Sequence, residues 1–289
     1  MKEILVISGK GGTGKTSLTA AFSRLEEHIT VADCDVDAPD LHLLLKPEMR
    51  YKTVFTGGKT AYIDDAVCSR CGKCFEICQF KAITEDLTVD TISCEGCAVC
   101  SWNCPVNAIE MLGNKSGFLY ESSIINGSMI HAQLDPGEEN SGKLVTEVKN
   151  RARTVSEQAG TAILLIDGSP GTGCPVVASL NNVDHAVIVT EPTQSAIHDL
   201  KRTISLTDHF NVNCSVIINK YDLNSANTRS IEEFAGDKEI TILGKIAFSS
   251  LFTQAITEGK TLLEIAPDSL ESSQLRDIWQ RLKSDFQTD

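Results

Sequence analysis

Eight of the chain's eleven cysteines lie between Cys68 and Cys104, in two matching sets. Cys68, Cys71, Cys74 and Cys78 recur 26 residues later as Cys94, Cys97, Cys100 and Cys104. The same offset carries Ile63-Asp64 onto Val89-Asp90 and Ala82-Ile83 onto Ala108-Ile109, while Gly72 becomes Ala98. Two copies of one small unit therefore occupy roughly residues 60–112. A unit of that size buries too little apolar surface to hold together by packing alone. Cysteines at this density, outside a secreted scaffold, point to metal or redox chemistry rather than disulfides.

Each copy reads Cys-x2-Cys-x2-Cys-x3-Cys, and the second is followed by Pro105. This resembles the bacterial ferredoxin pattern for two [4Fe–4S] clusters, in which the fourth cysteine of each run ligates the other cluster. The pattern assigns one cluster to Cys68, Cys71, Cys74 and Cys104, and the other to Cys94, Cys97, Cys100 and Cys78. Gln79 stands where the family has proline, which alters a turn but removes no ligand. Zinc is the alternative. Its sites usually combine Cys pairs with one another or with His, and no His lies between Cys68 and Cys104. Metal bonding supplies the stability the unit otherwise lacks. Residues 60–112 carry eight acidic side chains against three basic ones, Arg70, Lys73 and Lys81. Negative charge disfavours an added electron, so low reduction potentials and a positively lined partner are expected.

Outside this block, short apolar runs alternate with helical patterns. Residues 4–7, 30–32, 162–166, 186–189 and 215–218 read as buried strands. Residues 16–27, 142–158, 194–210 and 228–233 read as helices between them, and 118–134 as a hairpin turning at Asn126-Gly127. The expected fold is an α/β domain with a mostly parallel sheet, interrupted by a small α+β insert. The expected division is 1–59 and 113–289 for the α/β domain and 60–112 for the insert. The helix over 270–286 puts Leu275, Ile278, Trp279, Leu282 and Phe286 on one face. Its three basic residues face four acidic ones, counting Asp289, so it docks on a core rather than a membrane.

Charge limits the partners. With 26 Lys+Arg against 39 Asp+Glu, the net charge is −13, which disfavours nucleic acid and anionic membranes. No apolar run approaches the ~20 residues of a membrane helix, and the N-terminus does not read as a signal peptide. A cytoplasmic location is expected.

Gly9-Lys10-Gly11-Gly12-Thr13-Gly14-Lys15-Thr16 follows the first strand and opens the first helix, the context a P-loop requires. Successive backbone N–H groups from Gly11 to Ser17 would curl around phosphate oxygens at a helix N-terminus. Lys15 would neutralise the β- and γ-phosphates, and the Thr16 hydroxyl would ligate Mg²⁺. Lys10 is extra to an ordinary P-loop. This form resembles the deviant Walker A motif of MinD/Mrp/ParA-type ATPases. The resemblance implies a P-loop NTPase fold and an ATP-sandwiched dimer, with itself or with a related ATPase, in which Lys10 reaches the partner's ATP. It also implies that Asp35, in Val31-Ala32-Asp33-Cys34-Asp35, orients the attacking water or the Mg²⁺ shell. Asp167, in Ile166-Asp167-Gly168-Ser169-Pro170-Gly171, matches the Walker B carboxylate, and Asn219 the adenine-reading amide.

Three cysteines and one loop stand apart. Cys174 is similarly spaced from Asp167 to a cluster ligand of the nitrogenase iron protein, but its second matching cysteine is missing, so a small buried residue is expected. Cys34 and Cys214 look structural. The loop 138–143 precedes a helix, with Asn140 or Ser141 as its cap and Lys143 as a further phosphate or interface contact.

The combined pattern resembles MinD/Mrp-type ATPases with an inserted two-cluster ferredoxin domain. It implies an ATPase dimer that gates electron transfer to a partner protein. The alternative is a maturation factor that helps place an iron–sulfur or other metal cofactor in a client; no cysteine follows Cys214 to serve as a carrier pair. A MinD/ParA-like positioning role would need a basic membrane helix or a DNA-binding patch, and neither is visible.

Overall fold

The computed structural model describes residues 1–136 and 141–286. Its strands are β1 (Lys2–Ser8), β2 (Ile29–Asp33), β3 (Glu48–Ile63), β4 (Ile109–Ile124), β5 (Gly127–Leu134), β6 (Ile163–Pro170), β7 (His185–Thr190), β8 (Asn213–Asn219) and β9 (Thr241–Ile246). They form one nine-stranded sheet in the order β3-β4-β5-β2-β6-β1-β7-β8-β9. From β5 to β9 every pairing is parallel: Val31 lies opposite Met129, Leu165 opposite Val31, Leu5 opposite Ile166 and Ala186, and Val187 opposite Ser215. β1, β6 and β7 are buried along almost their whole length, which is why their central residues read as short continuous apolar runs.

The helices are α1 (Lys15–Ser23), α2 (Leu41–Leu45), α3 (Lys73–Ile77), α4 (Val99–Trp102), α5 (Ser141–Ala159), α6 (Cys174–Leu180), α7 (Gln194–His209), α8 (Ser225–Asp237), α9 (Ser250–Glu258), α10 (Leu262–Ile265) and α11 (Leu270–Asp285). Side chains cap several of them: Thr193 on α7, Asn224 on α8, Ser249 on α9 and Ser269 on α11. β1 stands between β6 and β7, so the chain leaves it toward one side of the sheet and later returns on the other. A crevice outside the carboxyl end of β1 is the usual ligand position in such a sheet.

The last helix docks on the core as expected. Leu275, Ile278, Trp279 and Leu282 are buried, and Phe286 packs partly against the same cluster. Trp279 stacks on Phe22 of α1 at 5.1 Å, and its indole N–H donates to Glu26 at 2.7 Å. Gly244 of β9 makes room for this docking, because a Cβ there would lie 2.5 Å from Ile278 Cγ1. Burying a Leu such as Leu282 is worth about 1.5–3 kcal/mol.

Several boundaries differ from expectation. The first helix ends at Ser23 rather than Glu27, because Asn126 Nδ2 donates to the Ser23 and Glu26 carbonyls at 2.5 and 2.7 Å and closes the chain there. The turn between β4 and β5 is Ile125-Asn126, and Gly127 already belongs to β5. The expected Asn140 cap lies outside the described residues, and Ser141 is the first residue of α5. No helix among the described residues is long and apolar enough to cross a membrane.

The chain divides into two compact units. One comprises Met1–Thr53, Leu119–Gln133 and the chain from Ser141 onward; the other comprises Val54–Phe118 and the residues from Leu134. The second unit has its own small core of Ala61, Ile63, Cys74, Ile83, Leu87 and Ile109. The 26-residue repeat is present in its backbone. Gly72 and Ala98 are left-handed N-caps of α3 and α4, Arg70 and Gly96 share a left-handed φ (55° and 63°), and so do Lys81 and Asn107 (52° and 54°). At Gly96 a Cβ would lie 2.2 Å from the Lys59 carbonyl oxygen, so the position that carries Arg70 in the first copy has no room for a side chain in the second.

Candidate functional site

In the first unit the loop after β1 lines an open cleft of about 470 Å³ at the start of α1. Its walls are Gly11 to Ser17, Asp35, Asp40 and Pro170, with Leu43, Leu44 and Ile256 as an apolar flank. Gly12 and Gly14 have φ of 80° and 93°, a left-handed backbone that glycine adopts at low cost. Gly14 is also fixed by contact: a Cβ would lie 2.5 Å from Asn219 Nδ2. The Thr13 hydroxyl is buried with no hydrogen-bond partner among the described residues.

Lys15, Thr16, Asp35 and Asp167 come together. The Lys15 ammonium is 3.0 Å from Asp167 and 3.8 Å from Asp35. Thr16 donates to Asp167 Oδ2 at 2.8 Å. Thr19, one turn further along α1, donates to Oδ1 at 2.9 Å, so the carboxylate is held from both sides. Burial alone would lower the Lys15 pKa, but Asp167 and Asp35 outweigh it and raise it. The Asp35 carboxyl is pushed up to about 6 by burial, with Lys15 pulling the other way and Asp167, Asp37 and Asp40 adding repulsion. Asp33 is fully buried and raised well above the carboxylate range by burial and by Asp167. It accepts the N–H groups of Asp35 and Leu41, and so shapes the turn that presents Asp35. One ammonium thus faces more than one carboxylate around a hydroxyl, an oxygen-rich lobe suited to a small hard cation.

Lys10 is folded onto its own chain. Its ammonium is 2.7 Å from Glu191 and donates to Thr193 and Ser195 at 3.2 and 3.4 Å. Glu191 also holds Lys220 at 3.0 Å, and Lys220 donates to the Gly12 carbonyl at 3.0 Å. Burial would raise the Glu191 pKa, but the two lysines overcome it and hold it low. Asn219 donates to the Thr13 carbonyl at 2.8 Å and accepts the Lys220 N–H at 3.0 Å. Its Nδ2 therefore braces the loop, while its Oδ1 closes a local turn onto the next residue. Sequence reasoning gave no role to Thr19, Asp33, Glu191 or Lys220, although Asp33 lies within the motif that holds Asp35, Lys220 follows Asn219, and Thr19 is four residues from Lys15.

The strand ends are tied together beside the cleft. Cys34 donates its N–H to the Asp167 carbonyl at 2.8 Å, and Ser169 donates to the Cys34 carbonyl at 2.7 Å. Cys34 is fully buried, which pushes its thiol pKa up. Lys149 caps the end of α6 through the Ser179 and Asn181 carbonyls at 2.5 and 2.6 Å. Cys174, expected to be buried, is exposed as the first residue of α6, just after the Gly173 cap.

In the second unit the eight cysteines line two cavities. One is walled by Cys68, Cys71, Cys74 and Cys104, with Ile63, Leu87 and Ile109 behind them. The other is walled by Cys78, Cys94, Cys97 and Cys100, with Ile77, Phe80 and Met111. These are the quartets that the crossed three-plus-one pattern assigns, and none of the eight is in a disulfide. Backbone N–H groups of Arg70 and Ala108 donate to the Cys68 and Cys104 sulfurs at 3.4 and 3.2 Å. Among the described residues no three Cys, His, Asp or Glu side chains gather as they would around a single ion. In a [4Fe–4S] cubane each thiolate bonds a different iron, so a quartet spaced around a cavity fits that group.

A family model described as the CobQ/CobB/MinD/ParA nucleotide binding domain matches residues 4–262. An uncharacterized protein of Methanocaldococcus jannaschii is 37% identical over 230 residues, covering 78% of this chain and 80% of its own. The pyruvate synthase subunit PorD of the same organism is 39% identical over 51 residues, 16% of this chain and 59% of that one. Among solved structures, the septum site-determining protein MinD of Pyrococcus horikoshii, complexed with Mg-ADP, has a TM-score of 0.59. It is 16% identical and the match covers 97% of this chain and 95% of that one, a likeness of fold.

Proposed function

Because the chain belongs to the CobQ/CobB/MinD/ParA nucleotide-binding family, we propose that it is an ATP-hydrolysing dimer whose nucleotide state gates electron transfer through two [4Fe–4S] clusters to a partner protein. The observation that carries this reading is the partition of eight cysteines into two cavity-lining quartets within a chain that also has a P-loop cleft. Residues 60–112 would act as the redox insert, and 1–59 with 113–289 as the ATPase.

The roles follow from the geometry. The N–H groups of the P-loop and the Lys15 ammonium would take the β- and γ-phosphates, Lys15 exchanging its contacts with Asp167 and Asp35 for them. Mg²⁺ would bind the Thr16 hydroxyl, with Asp167 and Asp35 reaching it through water. Asp35, at the edge of the cleft, would orient the attacking water. Asn219 would hold the loop by its Thr13 contact and present its edge to the adenine. Lys10 would leave Glu191 and reach the ATP of the other subunit, so that dimer closure and cleavage become one event. Bound clusters supply one-electron transfer at low potential. The cysteines hold them, and the surrounding acidic residues favour a basic partner.

The test uses anaerobically reconstituted protein, reduced and mixed with an oxidised viologen dye as acceptor. Gating predicts that MgATP accelerates cluster reoxidation while iron stays bound. A rate indifferent to ATP would overturn the reading. Iron delivered to an added apo-ferredoxin would point to cofactor maturation instead.

A further inference from the structure

The two cysteine quartets are related by the internal repeat, yet the residues lining their cavities differ in charge: beside the cysteines, Lys73 is the charged residue on the first wall and Glu95 on the second. In the first copy, Ser69 and Lys73 line the cavity beside Cys71. Advancing by 26 residues replaces Ser69 with Glu95, Arg70 with Gly96 and Lys73 with Val99. A hydroxyl donor becomes a carboxylate, which only accepts, and two cations become uncharged residues. The change at 96 follows from the fold, since the Lys59 carbonyl oxygen fills the space a side chain would need.

Hydrogen bonds to the sulfurs, nearby charge and solvent access set cluster potentials. A thiolate-ligated cubane gains negative charge on reduction. The hydroxyl of Ser69 and the ammonium of Lys73 on the first wall stabilise that charge; the Glu95 carboxylate on the second wall opposes it.

We propose that the insert is a graded pair rather than two equivalent centres: the first electron rests at the Cys68/Cys71/Cys74/Cys104 site, and the Cys78/Cys94/Cys97/Cys100 site accepts one only at lower potential. This rests on the iron–sulfur reading above. Each step takes one electron from a low-potential one-electron donor, which is oxidised by one electron while one cubane is reduced by one. The gradient gives the module a direction. Electrons entering at the second site run downhill to the first, so the face around Ser69, Arg70 and Lys73 is the exit.

The test is an EPR-monitored redox titration of the full-length, cluster-loaded protein, with iron counted on the same sample. The account expects two steps separated by at least a tenfold preference for the electron, roughly 59 mV for a one-electron couple. Lys73→Gln should lower the upper step and leave the lower one in place. Glu95→Ser should raise the lower step alone. With about eight irons bound, a single unresolved step, or Lys73→Gln shifting only the lower step, would overturn the gradient while leaving the iron–sulfur reading intact. Protein that binds far fewer irons would overturn the iron–sulfur reading itself.

Discussion

Lys10 Nζ lies 2.7 Å from Glu191 Oε1 of its own chain. The other oxygen of that carboxylate holds Lys220, which in turn grips the Gly12 carbonyl. One carboxylate therefore restrains both the lysine proposed to cross the dimer interface and the loop proposed to bind phosphate. Glu191→Gln should weaken the restraint and favour ATP-driven association. A charge-assisted contact of about 1.5–3 kcal/mol corresponds to roughly a tenfold or greater gain. Sedimentation with MgATP checks this, and Lys10→Ala should abolish association in the same assay. Unchanged association in Glu191→Gln would mean that the contact restrains nothing.

Lys15 is the cation facing Asp167 and Asp35 in the cleft, and it is 6% exposed. Lys15→Met should abolish nucleotide binding. It should also destabilise the nucleotide-free fold by about 3 kcal/mol, because a buried pair loses one partner. Urea unfolding of the apo protein reads this directly.

Asp35 titrates at about 6, raised by burial and by neighbouring carboxylates. A carboxyl raised in the folded state holds its proton more tightly there than when unfolded. Its contribution to stability therefore grows as pH falls through about 6 toward about 4 and is lost as pH rises back through about 6. The melting temperature of nucleotide-free protein should depend less on pH in Asp35→Asn across that window. ATP turnover should fall on the acid side of the same pKa, since a protonated Asp35 no longer attracts water or cation.

Gly72 and Gly96 both have left-handed backbones in the cysteine unit, but only Gly96 is sterically closed. The repeat partner of Gly72 is already Ala98. Gly72→Ala should therefore keep a full complement of about eight irons, whereas Gly96→Ala should lose metal from the Cys78/Cys94/Cys97/Cys100 quartet. Iron analysis of anaerobically prepared variants distinguishes the two, and equal retention would contradict the packing argument.

What was legible in the sequence was local. The P-loop and the cysteine spacing put their chemistry within a few residues, and the buried strands announce themselves as unbroken apolar runs. What escaped was made by distant contacts. Glu191 meets Lys10 across 181 residues, and Asn126 ends α1 from 103 residues beyond Ser23. β3 escaped notice although Met49 and Tyr51 alternate with Glu48, Arg50 and Lys52; its first seven residues are all exposed, so the alternation marks no buried face. β9 is short and contains Gly244, whose reason is the side chain of Ile278. The exposure of Cys174 depends on where α6 begins, which the cysteine's spacing from Asp167 does not report.

The central claim is that one polypeptide couples its nucleotide to its redox centres. The most direct measurement is the pair of cluster midpoint potentials of the same anaerobic preparation in MgADP and in MgATP. The account predicts that at least one midpoint shifts when ATP replaces ADP, and that Lys10→Ala removes the shift. Identical potentials in both nucleotides, with the clusters fully loaded and ATP bound, would contradict it.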